Sequence, residues 1–113
     1  MRRIIVDHET YLWQLTHQHE RPDACAERLT VYREGFKKSP LRISFHQHDT
    51  WQVGYPERGV IWSTQDQTAY NLNRPAIVAS IIQQMVGAGW SPHVASTPFD
   101  VQNGFHLLTS GKP

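Results

Sequence analysis

The spacing of apolar positions between residues 73 and 90 admits one structural reading. Ile77, Ile81 and Met85 recur every four residues, flanked by Val78, Ile82 and Val86, while Ser80, Gln83 and Gln84 fall on the opposite side. A period near 3.6 with one apolar face predicts an amphipathic helix over residues 74–88. Pro75 suits its first turn, where a fixed φ and a missing N–H cost nothing, and Asn71 or Asn73 upstream can cap the free amides. Gly87 and Gly89 allow the left-handed residue that ends a helix, Trp90 can then fold back onto Met85 or Val86, and Pro92 forbids continuation. Burying the six aliphatic side chains contributes roughly 1.5 to 3 kcal/mol each before the entropy of ordering is set against it. Such a helix cannot cover its own stripe, so the rest of the chain must supply an apolar surface.

The preceding residues alternate with a period of two. Residues 3–6 and 11–16 read as a β-hairpin, with Tyr11, Trp13 and Leu15 on one face and Leu12, Gln14 and Thr16 on the other. From His17 to Ala26 the alternation gives way to charge, two histidines and Pro22, which predicts a loop with one helical turn after Asp23. Leu29 and Val31 restart a strand that ends at Gly35. Leu41, Ile43 and Phe45 then oppose Arg42, Ser44, His46 and His48 on a half-buried strand. A turn at His48 and Asp49 leads to Trp51, Val53 and Tyr55, a second turn spans Pro56 to Gly59, and Val60 to Trp62 form the next strand. Thr64 to Asn73 reads as a polar connection. In the tail, Phe99 and Val101 alternate before Asn103-Gly104, and Phe105, Leu107 and Leu108 fit a short hairpin or a helical turn. The expected fold is therefore α+β: an antiparallel β-meander of about five or six strands with one amphipathic α-helix packed on one face.

At 113 residues the chain has the length of a single domain, residues 1–113, and its 39% hydrophobic content is enough for a core without disulfide or metal staples. Cys25 is the only cysteine, so no internal disulfide can form. Met1-Arg2-Arg3 is followed by only Ile4, Ile5 and Val6 before Asp7, too short for a signal-peptide apolar region, and no run reaches membrane-spanning length. These features point to a cytoplasmic protein. A net charge of +1 does not imply a strong electrostatic partner. One basic stretch, Arg33, Lys37, Lys38 and Arg42, is interleaved with Tyr32 and Phe36 in the manner of a nucleic-acid surface.

Seven histidines are the compositional oddity, and four form two HxH pairs, His17 with His19 and His46 with His48. Residues two apart on a strand point to one side, so each pair can offer two imidazoles to a zinc-type ion, with Glu20 or Asp49 as substitutes and an open position to activate water. The plainer reading of the same residues is a solvated strand face and its turn. Trp13, Trp51, Tyr55 and Trp62 fall on neighbouring strands and could line an aromatic pocket for an apolar or cationic small molecule, or serve as core. Cys25 near Glu20 and Glu27 lacks the positive surroundings of a reactive thiolate. No GxSxG, Walker loop or HExxH is present, and Gly87-Ala88-Gly89 follows a helix instead of preceding one.

The segments Tyr11-Leu12-Trp13, Ser39-Pro40-Leu41, Gly54-Tyr55-Pro56, Gly59-Val60-Ile61-Trp62, Asn71-Leu72-Asn73-Arg74-Pro75 and Gly89-Trp90-Ser91-Pro92 resemble those of small, single-domain bacterial proteins with no assigned activity. The resemblance covers most of the chain and implies a fold without implying a site. The leading expectation is a non-enzymatic binding or interaction module with no cofactor. Its alternatives are a metal-dependent protein or hydrolase that holds zinc on the HxH pairs, and a weak nucleic-acid binder. A homodimer paired through an exposed sheet edge is the partner a meander allows.

Overall fold

Period-two alternation runs further than the expected hairpins. Strand β1, Arg2–Val6, pairs antiparallel with β2, Glu9–Arg21, and β2 pairs with β3, Ala24–Arg33, in a register that sets Trp13 against Val31, Leu15 against Leu29 and His17 against Glu27. The computed structural model describes residues 1–21, 24–47, 50–54, 58–94 and 98–109, with the backbone alone for residues 19–21, 24 and 109. The loop expected over residues 17–26 is thus corrected to two paired strands. His17 kept the strand period and is satisfied across it by Glu27.

Strand β4, Phe36–His46, joins β3 antiparallel, and its far edge is taken by β8, Phe99–Val101, which runs parallel to it. That return explains why the chain does not continue as one meander. With β8 bonded to Leu41, Arg42 and Ile43 of β4, the next strands form their own antiparallel sheet from β5, Trp51–Val53, β6, Val60–Ser63, and β7, Thr68–Asn71. The architecture is α+β, with a five-stranded mixed sheet in the order β1-β2-β3-β4-β8 and a three-stranded sheet β5-β6-β7. Part of the segment expected as a polar connection is β7, whose Tyr70 faces the core with Ile61 and Val53.

Helix α1, Pro75–Gly87, buries Val78, Ile81, Ile82 and Met85 and leaves Val86 exposed. At about 1.5 to 3 kcal/mol each, those four side chains are a gross contribution that covers Tyr11, Trp13, Leu29, Val31, Leu41, Ile43 and Phe45 of the large sheet. The N-cap is Arg74 without a side-chain bond, and the asparagine cap is corrected. The Asn71 carboxamide accepts instead from the Asn73 backbone N–H at 2.9 Å, turning the chain just before the helix. At the other end Gly89 takes φ +115°, with Gly89 N–H donating to Val86 O at 3.2 Å and Trp90 N–H to Met85 O at 3.0 Å. These two bonds form a Schellman motif and fold Trp90 back as its position requires. A short helix α2, Phe105–Thr109, closes the core with Phe105, Leu107 and Leu108. No described helix is long and apolar enough to cross a membrane.

Candidate functional site

The connection between β1 and β2 is a two-residue turn, Asp7-His8, with both residues at positive φ, +50° and +70°. A tight hairpin turn whose twist matches its strands requires this conformation, which aspartate tolerates better than most residues. The turn stands beside the C-terminal end of α1, and a groove of about 390 Å³ lies between them. Val6, Ile82, Val86 and Trp90 line it with apolar surface. Tyr11 and Trp90 pack at its base with ring centroids 5.9 Å apart and planes tilted by 41°. Trp90 is held there because its indole N–H donates to the Ser39 carbonyl at 3.1 Å, while the Ser39 hydroxyl donates to Ser91 O at 2.9 Å.

Polar groups converge on the same groove. Arg33 Nε donates to Glu9 Oε2 at 2.8 Å, Nη2 reaches the same oxygen, and the guanidinium lies 4.9 Å from the centroid of the Phe36 ring. The Glu9 charge is thereby neutralised, whereas Asp7 has no ion-pair partner among the described residues. Burial pushes the Tyr11 phenol above its usual range; the Glu9 and Asp7 carboxylates add to the shift and Arg33 opposes it. The phenol therefore remains a neutral donor. Among the described residues it makes no hydrogen bond and no buried side-chain polar atom lacks a partner, so the hydroxyl is reached from the groove.

The described histidines and tryptophans singled out by sequence lie elsewhere. His17 is in the core, its Nδ1 2.6 Å from Glu27 Oε1, and Glu27 also accepts from Gly59 N–H at 3.1 Å. This buried trio ties the large sheet to the β5–β6 connection. It sits six residues along β3 from Arg33, about 20 Å at the rise of a strand, so the groove and the trio are separate. The register puts Glu27 opposite Phe45 and Ala26 opposite His46, so His17 and His46 project from opposite faces of the sheet and are not brought together. The His19 side chain and His48 lie outside the described residues. Among those described, no three His, Cys, Asp or Glu side chains cluster to hold a metal ion.

Of the aromatic set, Trp13 is core, 1% exposed, with the Arg2 guanidinium 4.4 Å from its ring centroid. Trp51 stacks on Phe105 at 4.6 Å, and Trp62 projects from the opposite face of the small sheet, since Trp51 pairs with Ser63 and Gln52 with Trp62. Tyr55 lies outside the described residues. The groove residues were not marked by sequence pattern, because Glu9 and Arg33 meet only through the β2–β3 register and Trp90 arrives from beyond the helix. Glu27 had a legible signal: it lies on the same strand parity as Leu29 and Val31.

No protein-family model matches this chain, and neither does any curated protein or solved structure.

Proposed function

We propose that the chain is a non-enzymatic binding module that holds a small amphipathic cation in the groove between the Asp7-His8 turn and the end of α1. The observation that carries this reading is the composition of the wall: apolar Val6, Ile82, Val86 and Trp90 beside an unpaired Asp7 carboxylate and an inward phenol. Val86 is 44% exposed although it belongs to the apolar stripe of α1, and a bound apolar group would cover it. With Glu9 paired to Arg33, the groove carries the charge of Asp7, which favours an ammonium at the turn and an apolar body along the helix.

Phenethylammonium is a suitable probe. In a titration followed by backbone amide NMR, the expected result is saturable shifts at Val6, Asp7, Val86 and Gly89, weakened severalfold by Asp7→Asn and for the neutral analogue phenylethanol. Absence of shifts in these residues, or equal affinity in Asp7→Asn, would refute the reading.

A further inference from the structure

The outer face of the five-stranded sheet carries a second polar constellation, remote from the groove. Arg28 on β3 stands opposite Ser44 on β4, and Thr30 stands opposite Arg42, so Arg28 and Arg42 are diagonal neighbours on one face. Arg42 in turn lies beside Asp100 of β8. Arg28, Arg42, Ser44 and Asp100, together with His46, Val101 and Gln102, line a hollow of about 160 Å³.

Three facts distinguish this hollow from an ordinary solvated sheet face. Neither guanidinium forms an ion pair or a hydrogen bond among the described residues, even with Asp100 alongside. Two like charges at diagonal positions repel, so their juxtaposition works against the sheet. Ser44 is 9% exposed, its hydroxyl has no partner among the described residues, and yet no buried side-chain polar atom among them lacks one, so that hydroxyl opens onto the hollow. Two forked donors and a hydroxyl around a space of this size form the donor set that planar or tetrahedral oxyanions take. Asp100 opposes an anion, and its single charge is outweighed by the two guanidiniums.

We infer that Arg28, Arg42 and Ser44 form a binding site for a phosphate-sized oxyanion, free or as the terminal group of a phosphomonoester. The anion screens the two arginines from each other and accepts from both, with the Ser44 hydroxyl as a third donor. This site is independent of the cation groove, and neither reading depends on the other.

The test is a titration of the full chain with inorganic phosphate, followed by amide NMR and by thermal unfolding, against sodium chloride at equal ionic strength. Phosphate is expected to shift the amides of Arg28, Arg42 and Ser44 saturably and to raise the melting temperature, while chloride does neither. Arg28→Gln and Arg42→Gln each weaken the response at least tenfold, and Asp100→Asn strengthens it severalfold. Arg28 is exposed, so Arg28→Gln folds, and without phosphate it melts no lower than the wild type because a repulsion is relieved. O-phosphoserine in place of phosphate tells the two sources apart: tighter binding assigns the site to a monoester, equal or weaker binding to the free ion. Identical responses to chloride and phosphate, an unchanged response in Arg28→Gln, or retention of a single-stranded oligonucleotide with no response to phosphate would each overturn the inference.

Discussion

Replacing Glu27 by alanine removes a carboxylate that is 1% exposed and accepts from two buried partners, His17 Nδ1 and Gly59 N–H. Both partners stay where they are, since His17 belongs to the continuous β2 ladder and Gly59 leads into β6. Each buried donor that loses this acceptor costs about 1–3 kcal/mol, so Glu27→Ala is expected to lower stability by about 2–6 kcal/mol. Against a total of about 5–15 kcal/mol for a small domain, that is a large share. Glu27→Gln keeps one carbonyl oxygen that can accept from both groups, and loses the charge that strengthens them. Its cost is about 1–2 kcal/mol, the difference between charged and neutral acceptors set against easier desolvation. Urea unfolding monitored by tryptophan fluorescence measures both, with the slope compared to check that each variant unfolds in one step. A Glu27→Ala loss under about 1 kcal/mol, or a Glu27→Gln loss as great as that of alanine, would refute the claim that this carboxylate fastens the two sheets together by its two accepted bonds.

A Cβ at Gly54 would stand 2.5 Å from His17 Cε1, and Gly54 has φ +78°, so Gly54→Ala combines a clash with a left-handed backbone. In a His17→Ala background only the backbone cost of about 1–2 kcal/mol remains, and a double-mutant cycle in urea should show Gly54→Ala costing less there than in the wild type. Tyr11 titrates above its usual range when folded, so the folded state holds the phenol proton more tightly than the unfolded one. Stability contributed in this way is complete below about pH 10 and declines as pH rises from there through the folded value. Unfolding free energies at pH 8 and pH 11 should therefore differ more in the wild type than in Tyr11→Phe, and equal losses would dismiss the shift.

Helix α1 and most of the strand parity were legible in the chain itself. The i, i+4 recurrence of Ile77, Ile81 and Met85, with Pro75 before it and Gly89 after, determines a helix from local physics, and the helix ends within a residue of the expected bounds at each end. Alternation likewise placed Tyr11, Trp13, Leu41, Ile43 and Phe45 on the buried face. Local pattern failed where a polar residue occupied a buried strand position. His17 by itself looks like a loop residue, and only its cross-strand pairing with Glu27 makes it core. The partition into two sheets was decided by β8, which returns from the far side of α1 to claim the edge of β4, a contact no window of sequence contains. Both proposed surfaces have the same origin. Glu9 meets Arg33, Tyr11 meets Trp90, and Arg28 stands diagonal to Arg42 only because register and chain reversal set them side by side, and it is tertiary structure that brings those separate residues together.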